Sequence, residues 1–529
     1  MADNQLPEKG ASEKVHQRHS RHLEELEDGQ YVVGHHVRER AGSDSGSDAS
    51  GLKTTADGSV VLIPQPSDDP SDPLNWSWTK KHSVLLALIP GCILTDFVIT
   101  WGTTLFEQQA PEFHMIVPDV ANSISGAIFM QGPGGLLAVP LAQRYGRLPV
   151  LFWCQFATLI SSIGATYAKG YAGFTACRTL QGFFGAPPQV IGLSIVHDMF
   201  FFHERARKIN IWAFSFLIGP YLGPFLSGFI AEGLDWRNNF GVLCGLYGLS
   251  VLMVILLGDE TLYNRDVAAV RYARQPGIAG KIKRLVGITG YQQSGDKPGV
   301  FEVAKDLFGI FARPYILIPG LLFITFQTMW TIGLVSTISQ FVKPPPYLFS
   351  NTATALIFLA PMIGTILAEL WGHWFNDFIA TRYIKSHNGV FKPEARLFGV
   401  YIPWIFGVCG LVLFGQGLQH HLHWVSIAFG WGLNCFSTLG SATAVSAYFL
   451  DVMPQHAALT AAWLNAFRTV GGFTVTYFQI KWVANNGPAV TFGCQAAIVA
   501  FFVLSIVITQ LKGASWRARF PPPATSRTT

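Results

Sequence analysis

Twelve stretches of the chain consist mainly of apolar residues, and each is about 20 residues long or more. A helix of that length crosses the roughly 30 Å hydrocarbon core of a bilayer. The first six stretches lie at 83–105, 121–142, 148–168, 171–197, 208–233 and 237–258. The second six lie at 314–336, 350–372, 397–418, 423–447, 457–480 and 488–511. The pattern predicts an all-α membrane protein with twelve transmembrane helices in two six-helix halves.

Polar segments surround and separate the two halves. The run Gly42–Asp48 is built only from Gly, Ser and Asp, and such a segment cannot bury enough apolar surface to fold. The predicted organisation is a disordered N-terminal tail (1–78), an N-terminal half (79–258), a central loop (259–313), a C-terminal half (314–511) and a C-terminal tail (512–529).

The composition excludes several other classes of protein. Half of the residues are hydrophobic and 13% are charged, whereas about 25% are charged in an ordinary soluble domain. The net charge of +5 is modest and scattered, which argues against a nucleic-acid partner. All seven cysteines lie inside apolar stretches, without metal-ligand spacing or a disulfide framework. We therefore expect neither a metal nor a cofactor.

Enzyme motifs are also missing from the sequence. It contains neither the phosphate-binding G-x-x-x-x-G-K-[ST] pattern nor the metalloprotease H-E-x-x-H pattern. We therefore expect a protein that is not an enzyme and is not driven by ATP.

Basic residues are distributed unequally between the connections. One alternate set of loops contains Arg144, Arg147, Arg205, Arg207, Lys208, Arg382, Lys385, Lys392 and Arg396. The opposite set contains only Lys169, Arg237, Lys343 and Lys481. Because cytoplasmic loops are enriched in Lys and Arg, both termini and the central loop are predicted to be cytoplasmic. The loop 448–455 is an exception, since it contains no Lys or Arg.

Four local motifs fall at defined places among the predicted helices. They are Gln143–Arg147 after the second stretch, Arg178–Gly182 in the fourth, Gly219–Gly228 in the fifth, and Gly372–Asp377 with Phe391–Leu397 between the eighth and ninth. Together they resemble the major facilitator superfamily, and within it the fungal twelve-spanner drug:proton antiporters. The resemblance covers about residues 70–511. It implies a transporter of small molecules in the plasma or vacuolar membrane, and a monomer.

The resemblance also implies roles for particular residues. The first motif is similar to the family's turn signature G-x-L-A-D-R-x-G-R, with Val139 and Gln143 in place of the glycine and the aspartate. It implies a gating role for Arg144, Gly146 and Arg147, and for Asp377, Glu394 and Arg396 at the counterpart turn, where Asp377 or Glu394 would pair with Arg382 or Arg396. A basic turn that only fixes topology, or solvated loop charges, are the alternatives.

The motif in the fifth stretch resembles the antiporter signature G-x-x-x-G-P-x-x-G-G, with Ser227 in the next-to-last glycine position. In the family this signature marks export by exchange. Prolines bend a helix and glycines allow close helix packing, so a simple packing seam is the alternative. The residues concerned are Gly219, Pro220, Gly223, Pro224 and Gly228.

Two charged residues of the first half lie at similar depths in the predicted membrane. Asp96 lies inside the first stretch and Arg178 inside the fourth, whose motif is similar to the family pattern R-x-x-Q-G-x-x-x-A. A lone charge in a low-dielectric interior is costly, so we predict that the two side chains form an ion pair. A pair that joins and separates during transport would couple proton movement to conformational change. A static structural pair is the alternative.

Arg468 is predicted to lie midway along the eleventh stretch, and the second half has no acidic residue at comparable depth. We predict that it lines a substrate cavity together with Gln181, Gln327, Thr328, Trp330, Asn434 and Asn465. Polar contacts that only hold helices together are an equal alternative for these residues.

The sequence thus predicts a proton-coupled transporter that exports a small organic molecule by antiport and alternating access. Its expected partners are that molecule, protons and the lipid bilayer. Proton-coupled uptake of a nutrient or organic ion is the alternative function.

Overall fold

The computed structural model describes residues 53, 62, 64–263, 277–387 and 391–523. Most of the predicted N-terminal tail and parts of the central loop and C-terminal tail lie outside this set. Within it, every regular element is a helix. The prediction of an all-α protein is therefore confirmed.

The helices of the first half and of the central segment follow one another with short connections. The long helices of the first half are α1 (Trp78–Thr100), α2 (Ser125–Tyr145), α3 (Arg147–Tyr167), α4 (Tyr171–Gly185), α5 (Pro187–Met199), α6 (Phe202–Ile230) and α7 (Trp236–Leu257). The shorter helices Phe106–Glu112 and Val117–Ala121 lie between α1 and α2. The predicted central loop contains α8 (Gly277–Val286) and α9 (Val300–Phe311).

The second half repeats this arrangement. Its long helices are α10 (Pro314–Val342), α11 (Leu359–Ser386), α12 (Tyr401–Gln419), α13 (Trp424–Val452), α14 (Ala457–Asn486) and α15 (Pro488–Arg519). The short helix Asn351–Ile357 precedes α11, and a 3-10 helix, Pro393–Val400, precedes α12.

Each of the twelve predicted stretches falls on one of these helices or on a consecutive pair. In the described part of the chain, nine helices are long and apolar enough to cross a membrane. The fourth stretch is divided between α4 and α5, because Pro187 and Pro188 have no N–H group to continue the hydrogen-bond ladder. Helices α13 and α14 carry buried polar residues, including Asn434 and Asn465, and are not among the nine.

Successive spanning helices run in opposite directions, so their ends form two faces of the molecule. We call the face at which α1 begins and α15 ends the terminal face, and the opposite one the distal face. On the distal face, the Tyr347 hydroxyl donates hydrogen bonds to the carbonyls of Gly417 and Leu422, at 3.2 and 2.8 Å. These bonds connect the loop after α10 to the turn between α12 and α13.

The two halves meet along two seams. Helix α2 packs against α14, and α6 packs against α11 and the short helix before it. At the first seam, Val139 and Val190 of the first half share a buried cluster with Leu459 and Ala466 of the second. A cavity lies between the two seams, and it contains the candidate site.

Candidate functional site

An ion pair joins the two halves inside the molecule. The Asp96 carboxylate on α1 lies 2.9 Å from the Arg468 guanidinium on α14, measured between Oδ2 and Nη2. The other oxygen of Asp96 accepts a hydrogen bond from the side-chain amide of Gln131 on α2. Asp96 therefore contacts a neighbour in its own half and one in the opposite half.

Amide side chains complete a network around this pair. Arg468 Nη2 also donates to Asn465 Oδ1 at 3.3 Å, and Asn465 Nδ2 donates to the Gln131 carbonyl at 3.3 Å. The Gln131 amide lies 3.3 Å from Oε1 of Gln189 on α5. Because Arg468 and Asn465 are three residues apart, they lie on the same side of α14. The network links α1, α2, α5 and α14.

Arg178 does not pair with Asp96, so the predicted pair is wrong. Its guanidinium instead donates to the carbonyls of Val98, Ile99 and Trp101 at the end of α1. The last carbonyls of a helix have no partner within the helix, and the guanidinium supplies their missing donors. Arg178 is 1% exposed and closes the distal end of α1.

Gln181 accompanies Arg178 and does not line the cavity. Its Oε1 accepts a hydrogen bond from Arg178 at 3.0 Å, and its Nε2 donates to Ser162 Oγ on α3 at 3.1 Å. The oxygen and the nitrogen of this buried amide therefore both form hydrogen bonds, one within α4 and one to α3. Its position favours the alternative of helix-to-helix contact.

The cavity between the halves has a volume of about 80 Å³. Both charged residues of the central ion pair line it together with the Gln131 amide, and the rest of the wall is aliphatic or hydroxyl-bearing. The lining residues are Asp96, Ile99, Thr100, Ile124, Ile128, Gln131, Leu217, Pro220, Tyr221, Thr328, Thr331, Ile332, Val335, Ser336, Thr438, Leu439 and Arg468. Of the predicted cavity residues, the wall includes Thr328 and Arg468.

The other predicted cavity residues of the second half lie behind this wall. Gln327 donates to Ser437 Oγ at 2.8 Å, and Asn434 donates to Thr331 Oγ1 at 2.9 Å. Trp330 is buried in an apolar cluster, and Asn465 acts through the polar network described above. Gln327 and Asn434 thus connect α10 to α13, as the alternative interpretation expected.

At the terminal face, the arginines of the first turn motif have partners within their own half or in the central segment. Arg147, the first residue of α3, forms an ion pair with Asp198 near the end of α5 and donates to the Ser194 carbonyl at 3.2 Å. Arg144 donates to the carbonyl of Pro298 at 3.3 Å. Asp198 supplies an acidic partner where the motif itself has Gln143.

Gly146 allows a second acidic group to approach the same turn. The backbone N–H groups of Arg147 and Leu148 donate to the two carboxylate oxygens of Glu260, at 2.9 and 3.1 Å. Gly146 has a φ of 111°, and a Cβ atom there would lie 2.4 Å from Glu260 Oε2. Since a carboxylate at a helix N-terminus is favourable, Glu260 stabilises the start of α3.

The second half repeats the first of these contacts. Arg396, just before α12, forms an ion pair with Asp451 near the end of α13, with 2.9 Å between Nε and Oδ2. Arg396 also donates to the carbonyl of Asn376 at 3.2 Å. Arg147–Asp198 and Arg396–Asp451 therefore occupy corresponding places in the two halves.

The predicted partners of Glu394 are wrong. Glu394 forms a two-point ion pair with Arg517 at the end of α15, and not with Arg382 or Arg396. The side chain of Asp377 lies outside the described residues. The terminal-face ion pairs described here each join helices of a single half.

Glycines of the predicted antiporter motif bring α6 close to α1. A Cβ atom at Gly219 would lie 2.4 Å from the Ile93 carbonyl oxygen, and one at Gly223 would lie 2.8 Å from that of Phe97. These contacts lie on either side of Asp96 along α1. The motif therefore fixes the position of the helix that carries the central carboxylate.

The same motif also reaches the second half and the cavity. A Cβ atom at Gly228 would lie 2.8 Å from Cβ of Ala355, in the short helix before α11. Pro220 lines the cavity, and both Pro220 and Pro224 lie inside α6. The motif thus runs from the cavity to the distal seam between the halves.

Polar contacts on the distal face connect the two halves. Lys343, directly after α10, lies 3.0 Å from the Glu107 carboxylate and donates to the Thr104 carbonyl at 3.1 Å. Glu232, after α6, accepts hydrogen bonds from the backbone N–H and the hydroxyl of Thr352, at 2.8 and 2.9 Å. These bonds from Thr352, the backbone bond above all, hold the pKa of Glu232 below its ordinary value.

Sequence reasoning missed several of these residues, although some carried a usable signal. Gln131 is an amide inside an apolar stretch, which is the same signal that identified Asn434. Asp198 and Asp451 each lie in the last turn of an apolar helix that ends at the terminal face, and comparison of the two halves would have matched them. The sequence indicates Lys343 only as a loop lysine that bears on topology.

Comparisons with known proteins agree with this architecture. The family model described as Major Facilitator Superfamily matches residues 86–476. An uncharacterized MFS-type transporter of Schizosaccharomyces pombe is 25% identical, over 84% of this chain and 86% of its own. The efflux pump radE of Floropilus chiversii is 24% identical, over 83% of this chain and 80% of its own.

A solved structure shows the same fold. The proton:xylose symporter XylE superposes with a TM-score of 0.57 at 14% sequence identity, over 82% of this chain and 96% of its own. At that identity the likeness concerns the arrangement of the helices alone.

Proposed function

Because the chain belongs to the major facilitator superfamily, we propose that it is a proton-coupled secondary transporter that exports a small organic molecule by antiport. The Asp96–Arg468 pair is the observation that carries this proposal. It lines the cavity and connects the two halves at 2.9 Å. A carboxylate in such a link gives a proton a way to change the contact between the two halves.

Protonation of Asp96 is the proposed energy-coupling step. A neutral carboxyl group no longer offers Arg468 a negative charge, and an uncompensated buried charge is costly. The contact that holds α1 to α14 is thereby weakened, and the halves separate at this depth. Loss of the proton restores the charge and the contact.

The helical frame around Asp96 supports this role. Gly219 and Gly223 keep α6 against α1 on both sides of Asp96, so that α1 and α6 move as one body. The contacts of Lys343 and Glu232 join the two halves on the distal face. Opening of the distal face requires these contacts to break while α1 and α6 stay together.

Export is preferred to uptake for two reasons. The glycine and proline pattern from Gly219 to Gly228 resembles an antiporter signature, and one of the relatives is named an efflux pump. Proton-coupled uptake, the second candidate, uses the same fold and the same pair. In the proposed orientation the terminal face is cytoplasmic. The proposed location is the plasma membrane.

The test begins with growth protection. A yeast strain without its own efflux pumps, expressing this protein, is challenged with a panel of toxic organic compounds. A compound against which the protein protects is then used in vesicles containing purified protein and the pH dye pyranine. Export by antiport predicts that compound and protons move in opposite directions. Movement in the same direction would establish proton-coupled symport, the second candidate. Flux that does not depend on protons would overturn the proposal.

A further inference from the structure

Helix α8 (Gly277–Val286) in the central segment has an apolar stripe that faces outward. Ile278, Ile282 and Val286 are 80%, 53% and 38% exposed. Residues at i, i+4 and i+8 lie along one side of a helix. Leu285, seven residues after Ile278 and therefore next to the stripe on the helix surface, is 7% exposed and packs into a cluster with residues of the first half. The apolar surface of α8 therefore runs from the packed Leu285 to the outward-facing Ile278, Ile282 and Val286.

Specific contacts hold α8 against the spanning helices of the first half. The indole N–H of Trp153 on α3 donates to the Val286 carbonyl at 3.0 Å. The amine of Lys281 donates to the Leu256 carbonyl at the end of α7. Arg284 forms an ion pair with Asp259 at 3.1 Å. The orientation of α8, and hence of its outward stripe, is fixed by these contacts.

The contact with Trp153 also sets the level of α8 relative to the membrane. Trp153 is the seventh residue of α3, so it lies about 9 Å along that helix at 1.5 Å per residue. Tryptophans are enriched where the hydrocarbon meets the headgroups, with the indole N–H on the polar side. With Trp153 at such an interface, its hydrogen bond to the Val286 carbonyl brings the end of α8 to the same depth.

The outward stripe continues directly from the lipid-facing surface of α3. Trp153, Phe156 and Ile160 on α3 are 48%, 37% and 53% exposed, as expected for a membrane-spanning helix. Helix α8 packs on α3, and its carbonyl bond to Trp153 joins the two exposed surfaces. An amphipathic helix in this position buries its apolar side at the boundary of headgroups and acyl chains.

We propose that α8 is an interfacial helix whose Ile278, Ile282 and Val286 insert into the surface of the same bilayer that the spanning helices cross. The polar side chains next to the stripe, including Lys283, then lie at headgroup level. The lipid surface holds the central segment beside α3 and α7. This inference concerns membrane contact and does not depend on which molecule is transported.

The test is photo-crosslinking in vesicles of phosphatidylcholine and phosphatidylserine. The full-length protein carries benzoylphenylalanine at Ile278 or Ile282, and lipid adducts on the released peptide are measured by mass spectrometry. Phe156 on α3 is the lipid-facing control. Gly295 in the same segment, where a side chain would meet open space, is the water-facing control.

We expect adduct yields at Ile278 and Ile282 close to that at Phe156 and at least about fivefold above that at Gly295. Yields no higher than at Gly295, or adducts to protein instead of lipid, would overturn the proposal. The second outcome would identify α8 as a protein-binding surface.

A second measurement does not depend on the crosslinker. Hydrogen exchange of residues 277–286 is compared between the wild-type chain and the Ile278→Gln, Ile282→Gln variant, both in lipid nanodiscs. The variant should lose most of the protection of α8, while α9 keeps its own and an Ile282→Leu control resembles the wild type. Equal protection in the glutamine variant and the wild type would contradict insertion.

Discussion

Asp96 and Arg468 belong to opposite halves of the molecule, and their side chains meet at 2.9 Å in the cavity between them. The pair therefore reports the relative position of the halves, since any movement that separates α1 from α14 breaks it. An Asp96–Arg178 pair would have joined two helices of one half and would be insensitive to that movement. This difference gives the central carboxylate its proposed role.

Replacing Asp96 with Asn tests that role. The amide keeps the shape of the side chain and a hydrogen-bond acceptor but cannot exchange a proton. We expect the Asp96→Asn protein to reach the membrane and to lose proton-driven transport in the vesicle assay. Asp96→Glu, which still titrates, serves as the control. Transport by the Asn variant at the wild-type rate would exclude Asp96 as the coupling group.

Removing Arg468 tests whether the two charges depend on each other. Arg468→Gln leaves the Asp96 charge uncompensated in a largely buried site, which typically costs about 3 kcal/mol of stability. The Asp96→Asn, Arg468→Gln double variant buries no lone charge, so its melting temperature in detergent should exceed that of Arg468→Gln alone. Melting temperatures that fall additively would show that the pair contributes no coupling energy.

Arg178 should behave as a structural residue. Arg178→Ala removes the donors for the last carbonyls of α1, and a buried unsatisfied polar group costs about 1–3 kcal/mol. We expect a lower melting temperature, with an unchanged pH dependence of transport in the protein that remains folded. A shifted pH profile of transport together with normal stability would show that Arg178 takes part in proton coupling, as the sequence predicted.

The sequence identified the helices and the charged residues better than it identified their partners. Asp96 and Arg468 stood out because charges are rare in apolar stretches, and that signal is local. Their partners depend on how α1 packs against α4 and α14. The depth of a residue along a single helix does not specify that packing. The segment 448–455 shows the same limit, because it contains no Lys or Arg of its own. The basic partner of Asp451 in this segment is Arg396, which comes from a different connection between helices.

The turn between α2 and α3 provides a test of the terminal face. Gly146→Ala introduces a side chain at a φ of 111°, where a Cβ atom is strained, and it places that atom against Glu260. We expect the variant to lose about 1–2 kcal/mol of stability. Gly241→Ala on α7, where nothing lies within 4 Å of the new atom, is the matched control. Equal melting temperatures for the two variants would argue against the close approach of Glu260.

The distal contacts predict how the opposite face responds to mutation. Lys343→Ala removes an ion pair and a carbonyl contact between the halves, so the distal face should open more often. Thr103 is buried, and its carbonyl accepts a hydrogen bond from Ser339 of the second half. A cysteine introduced by Thr103→Cys therefore becomes accessible when the halves separate there. We expect faster labelling of that cysteine by an impermeant maleimide in Lys343→Ala than in Lys169→Ala, which removes an exposed lysine. Equal labelling rates in the two variants would show that the Lys343 contacts do not hold the distal face closed.

Acidification should act on the same face through Glu232. Its pKa in the folded protein lies below the ordinary value of 4.5. At any pH above 4.5 the group is therefore ionised and its contact with Thr352 contributes fully to stability. The contribution is lost only as the pH falls through the lower folded-state pKa. Because a maleimide reacts with the thiolate, the labelling rate of Thr103→Cys is divided at each pH by that of a free reference thiol. This ratio should stay constant from neutral pH down to about 4.5 and rise below it. In Glu232→Gln, which cannot titrate, this rise should disappear; a rise of the same size would assign the acid response to another group.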